Sequence, residues 1–155
     1  LALTHSPREV QFYCLDFGGG SLAPLAGLPH VGSVAARVDA ERIGRTVAEI
    51  TAIMETREKL FLQHGVTSMP DYRARRAAGE FADEPHGDVF VVVDGWSTVR
   101  QDHQDLMQTF TRIASRGLNY GVHLIVTTAR WVELTAGVRD QSGTRIELRM
   151  GDPIE

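Results

Sequence analysis

Asp94 is the residue best placed to do chemistry in this chain. It closes the apolar run in "HGDVFVVVDGWSTVR" (86–100), where β-forming residues lead into a single carboxylate. A carboxylate at the C-terminal tip of a buried strand emerges in the crevice where α/β sheets bind ligands. There it can hold a hydrated Mg2+ through water, because Mg2+ is a hard cation that keeps several of its waters. The plainer reading is a strand-end aspartate opening a turn, since Asp-Gly is a common turn pair. The local pattern leaves both open. A second stretch is the triple glycine at 18–20, which follows another apolar run and lacks a cation. Read locally, it is a tight turn leaving a strand.

Phosphate chemistry needs more than one carboxylate. Glycines must let backbone N–H groups wrap the phosphates, a lysine must reach the terminal oxygens, and a Ser or Thr hydroxyl must meet the Mg2+. No G-x-x-x-x-G-K-[ST] occurs in the 155 residues. Lys59 is the sole lysine, and it lies in "ETREKLF" with no glycine nearby. These residues cannot build a complete phosphate cradle alone.

Other chemistries fit less well. His5, His30, His64, His86, His103 and His123 show no metal spacing, and with Cys14 as the only cysteine no zinc site is expected. Ser33 and Ser97 lack a G-x-S-x-G elbow. Arg73, Arg75 and Arg76 form a basic stretch among Asp71, Glu80, Asp83 and Glu84, which reads as a solvated helix face ahead of a contact with DNA phosphates or a neighbouring domain. Trp96 and Trp131 each follow an expected strand end, where an aromatic can anchor an adjacent domain or fill a loop core.

The elements that must carry these residues are legible from period and punctuation. Val10 to Asp16 reads as a buried strand, and "HVGSVAARVD" (30–39) as a short extended piece. Asp39 is a candidate N-cap for a long helix with Ile43, Val47, Ile50, Met54 and Phe61 on one face and Gly65 as its stop. Ser68, Pro70 and Asp71 open a short basic helix ending near Gly79. "VFVVV" shows no alternation, as expected of a strand covered on both faces. Leu106, Phe110 and Ile113 mark a further helix, and "GVHLIVTT" (121–128) a further strand. "RWVELTAGVRDQSG" is loop with one short helix, and "TRIELRM" (144–150) alternates like a strand with one wetter face. Buried strands separated by amphipathic helices predict an α/β fold with a mainly parallel sheet.

Composition agrees. The chain is 43% apolar and 23% charged, ordinary for a globular domain, and 155 residues suffice for one core. A formal charge of −4 speaks against a free-standing nucleic-acid binder. No apolar run approaches the roughly 20 residues of a membrane helix. The first residue is Leu1 rather than Met, so the chain is expected to be one domain, residues 1–155, cut from something longer.

In this order the motifs resemble FtsK/SpoIIIE-type ATPase domains, most closely the second ATPase domain of the EccC-type motors of type VII (ESX) secretion in actinobacteria. "FYCLDFGGGSLAPLAGLPHVGSVA", "RTVAEITAIMETRE", "GDVFVVVDGWSTVR", "RGLNYGVHLIVTTARWVEL" and "TRIELRMGDPIE" carry the resemblance. It implies a RecA-like, FtsK-type P-loop NTPase fold whose first strand and P-loop precede Leu1.

Carried over by residue, Asp94 matches the Walker B aspartate, a catalytic and Mg2+-holding acid. Gly95 stands where active members place the glutamate that polarises the attacking water. Loss of such a base costs on the order of 10²–10⁴ in rate. Thr128 to Arg130 match the polar sensor position. Thr128 is expected at the nucleotide, and Arg130 on a γ-phosphate or a neighbouring domain, while Ala129 replaces the usual glutamine. "DFGGG" replaces an Asp-Pro-Lys-like turn, which removes a cation.

The implied cofactors are ATP and Mg2+, bound only with the upstream P-loop. The implied partners are other ATPase domains of the same polypeptide or ring, the secretion machinery, and small helical secreted substrates. The implied location is the cytoplasmic face of the membrane, reached through partners and without direct insertion. A DNA translocase of the FtsK kind is the first alternative; it calls for a glutamate after Asp94 and a basic pore. A structural or substrate-docking module that never binds nucleotide is the second.

Overall fold

The structure is a computed structural model and describes residues 1–148. Its four strands are β1 (Val10–Asp16), β2 (Val31–Ala36), β3 (Asp88–Asp94) and β4 (Val122–Val126). All pair in parallel, in the order β2-β1-β3-β4. β3 is therefore an interior strand, bonded to β1 along its length and to β4 on its other side. The helices are α1 (Ala40–His64), α2 (Met69–Ala77), α3 (Trp96–Asp102), α4 (Met107–Arg116) and α5 (Ala136–Arg139).

The helix ends fall where the sequence places them. Asp39 accepts the backbone N–H of Arg42 at 3.0 Å, and Gly65 closes α1 in the left-handed conformation at φ 62°. Ser68 accepts the N–H of Asp71 at the start of α2, where Pro70 costs nothing in the first turn. Helix α1 buries Ile43, Val47, Ile50, Ile53 and Met54 against Tyr13, Leu15, Val89, Val91 and Val93. Phe110 and Ile113 of α4 join the same cluster. Ion pairs Arg112–Glu55 and Arg116–Glu58 tie α4 to α1 at its edge.

The expected absence of alternation in β3 has a different outcome in space. Val89, Val91 and Val93 are fully buried, whereas Phe90 and Val92 are half-buried. Both faces are apolar, but among the described residues only one is covered by α1, α3 and α4. The other carries a ladder in which Phe90 stacks on Phe12 at 5.6 Å and on His123 at 4.5 Å, beside an Ile125 that is 43% exposed.

Three local expectations change. The stretch after Asp94 is helix α3, which too few periodic positions announced. Residues 144–148 are exposed and irregular rather than a strand, and 149–150 lie outside the described residues. Alternation alone does not hold a strand without a neighbour to pair with. The α2 arginines are a tether rather than a solvated face. Arg73 grips Asp88 with two hydrogen bonds of 2.8 and 2.7 Å, Arg75 binds Glu80, and Arg76 donates to the carbonyls of Arg8, Glu84 and His86.

Beneath them Arg57 of α1, 2% exposed, donates to the carbonyls of Tyr120, His86 and Gly87. Burial lowers its pKa. One buried cation thus pins α1 to the entry of β3 and the turn before β4.

Candidate functional site

Because β1, β3 and β4 run parallel, their C-terminal tips meet at one rim. β3 delivers Asp94 there, β1 delivers Asp16, and the chain leaving β4 delivers Thr127. Backbone bonds extend the pairing past the strands. Phe17 N–H donates to Asp94 O at 2.9 Å, and Trp96 N–H to Thr127 O at 2.9 Å. The rim is fixed by the sheet itself.

Asp94 is half-buried and accepts two hydroxyls. Thr127 Oγ1 donates to Oδ1 at 2.6 Å and Ser21 Oγ to Oδ2 at 3.2 Å. Thr127 Oγ1 in turn accepts the N–H of Gly95 at 2.9 Å. Gly95 sits at φ 85°, ψ 56°, a left-handed conformation that favours glycine. A Cβ there would lie 2.9 Å from Gly18 N and 3.0 Å from the Phe17 carbonyl carbon. A Cβ on Gly18 would lie 2.0 Å from Asp94 Oδ2. The turn after β3 therefore meets the turn after β1 backbone to backbone at Gly95, while Gly18 lies against the Asp94 carboxylate, so a side chain at either position would crowd the contact.

Asp16 organises the triple-glycine turn. It is 2% exposed and accepts the N–H groups of Gly19, Gly20 and Leu22 at 3.2, 2.9 and 2.8 Å. Burial acts to raise its pKa, but these backbone donors outweigh it and hold the carboxyl below its usual range. The turn is a carboxylate-centred nest, not a slack linker.

The sensor residues divide. Thr127, not Thr128, reaches Asp94. Thr128 Oγ1 donates to Glu133 Oε2 at 2.8 Å, and Arg130 Nε lies 3.8 Å from Glu133 Oε1. Thr128 and Arg130 thus share Glu133, a residue that no motif singles out. Trp96 is wholly buried against Phe110 at 5.7 Å, which makes it core and not an interface anchor. Trp131 packs partly on the core and lies under the Arg145 guanidinium at 4.6 Å.

Asp94 fits a water-mediated hold on Mg2+: it is one hard carboxylate, oriented by two hydroxyls, at the C-terminal rim. Among the described residues no three His, Cys, Asp or Glu side chains converge into a metal site. Asp94 would face the ion, with the Thr127 and Ser21 hydroxyls holding its carboxylate.

The FtsK/SpoIIIE family profile matches residues 1–155. The chain belongs to the FtsK/SpoIIIE family. This FtsK/SpoIIIE domain is 57% identical over its whole length to the ESX secretion system protein EccC of Thermomonospora curvata, of which it covers 12%. It is 49% identical over 99% of its length to the ESX-1 secretion system protein EccCb1 of Mycolicibacterium smegmatis, covering 26% of that protein. Its structure superposes with TM-score 0.95 on T. curvata EccC (ATPases 2 and 3) in complex with a signal sequence peptide, covering all of this chain and 28% of that one. The domain thus spans a small part of each relative. The parallel sheet with flanking helices is the expected FtsK-type P-loop NTPase fold. No helix among the described residues is long and apolar enough to cross a membrane.

Proposed function

We propose that this chain is one domain of a type VII secretion motor, equivalent to the second ATPase of EccC-type proteins. In the full-length protein it binds ATP with Mg2+ and turns it over slowly or not at all. Asp94 meets the Mg2+ through water, and a P-loop outside these residues supplies the phosphate cradle. Gly95, Thr128 and Arg130 border the nucleotide, Arg130 from the side that a neighbouring ATPase domain would approach. The motor works at the cytoplasmic face of the membrane and drives or regulates export of small helical proteins.

One observation carries the defective-site part of this reading. By the resemblance the water-polarising glutamate would stand at Gly95, a left-handed glycine where even a Cβ would lie 2.9 Å from Gly18 N, so a side chain there would crowd the Phe17–Gly18 backbone. The bound nucleotide then serves assembly or regulation, being held far longer than it is hydrolysed. Titration calorimetry of ATP with Mg2+ on the full-length protein tests this. Uptake that Asp94→Ala weakens at least tenfold, with negligible turnover at this domain, is expected. No uptake at millimolar nucleotide would leave a structural module instead.

A further inference from the structure

We propose that Ser21 is a positioning residue for Asp94: from the triple-glycine turn it fixes the plane of the carboxylate that meets the nucleotide-bound divalent cation. The inference rests on the nucleotide-binding reading above and adds a residue to it.

Thr127 holds one oxygen of Asp94 at 2.6 Å. A single hydrogen bond leaves a carboxylate free to turn about its Cβ–Cγ bond, because that torsion is broad. A second donor on the other oxygen removes the freedom, and Ser21 Oγ is that donor at 3.2 Å. Ser21 lies 73 residues from Asp94 in sequence, so its position must be built. Asp16 builds it. The residues on either side of Ser21, Gly20 and Leu22, both give their N–H groups to the buried Asp16 carboxylate, one to each oxygen. Gly18 completes the wall, since a Cβ there would lie 2.0 Å from Asp94 Oδ2. The approach left to Asp94 is therefore set by Gly18 and Ser21 of the β1 turn and by Thr127. Outer-shell hydrogen bonds of this kind orient metal-binding carboxylates, and their loss weakens metal binding.

Ser21 is exposed, so its removal perturbs the site without emptying the core. The test uses full-length protein with ATP and Mn2+ as the probe ion, its free concentration read by electron paramagnetic resonance. For Ser21→Ala the Mn2+ dissociation constant should rise about three- to tenfold, the loss of one net hydrogen bond. Binding of a fluorescent ATP analogue in EDTA and the unfolding midpoint should stay unchanged. Ser21→Thr, which keeps the hydroxyl, should restore the Mn2+ affinity. Equal Mn2+ affinity in wild type and Ser21→Ala, or a loss that Ser21→Thr does not restore, would overturn the positioning role while leaving nucleotide binding intact. If wild-type protein took up no Mn2+–ATP at all, the nucleotide reading and this inference would fall together.

Discussion

Gly95→Ala offers the sharpest check on the reasoning, because the same structure supplies its control. Gly95 and Gly65 are both left-handed, at φ 85° and 62°. A Cβ at Gly65 meets nothing within 4 Å, whereas one at Gly95 meets backbone atoms of Phe17 and Gly18 at 2.9 to 3.1 Å. Gly65→Ala therefore costs only the left-handed strain, about 1–2 kcal/mol. Gly95→Ala adds overpacking against main chain that cannot rotate away, about 1–3 kcal/mol more. The difference between the two variants isolates the contact. Urea denaturation of the full-length protein, followed by a probe within this domain and with m unchanged, should give Gly95→Ala about twice the loss of Gly65→Ala.

The functional arm uses Gly95→Glu. That side chain would have to displace the turn carrying Gly18 and Ser21, so ATP turnover should not rise and Mg2+-dependent nucleotide affinity should fall. Equal destabilisation of the two alanine variants would refute the backbone interlock. A large gain in turnover from Gly95→Glu would refute it too, showing that the site merely lacks a base.

Other outcomes are expected elsewhere in the fold. Arg57→Met should cost about 3 kcal/mol or more in the same denaturation assay, since it strips a 2%-exposed cation from three carbonyls that lie away from water. Burial acts to raise Asp88, but the hydrogen bonds from His123 and Arg73 hold its carboxyl well below the usual range. A depressed folded-state pKa gives stability that is present above the unfolded value, about 3.9, and lost as pH falls below it. Acid denaturation should therefore steepen below about pH 4, and Asp88→Asn should flatten that limb while costing about 1–3 kcal/mol at neutral pH. A pH profile of Asp88→Asn parallel to wild type would contradict this assignment.

The sequence by itself determined the elements whose causes are local. Asp39, Gly65, Ser68 and Pro70 set helix ends through hydrogen bonds and torsions within four residues, so caps could be read directly. The apolar runs ending at Asp16 and Asp94 announced interior strands by their apolarity on both faces, although burial along β3 alternates. Asp94 stood out for the same reason, and the ordered motifs carried the family.

Only the tertiary structure decided what surrounds that carboxylate. Ser21 and Thr127 reach it across 73 and 33 residues, and no local pattern encodes such a meeting. The choice of Thr127 over Thr128 turns on side-chain alternation past a strand end, where a one-residue step reverses the face. The α2 arginines looked solvated because their acceptors are distant in sequence: Asp88 and the His86 carbonyl come with the chain's return into β3, and the Arg8 carbonyl with the segment before β1. Gly95 reads as a missing glutamate in one dimension. In three it is the residue that lets two turns touch, since steric exclusion depends on which backbone lies opposite and not on which residue comes next.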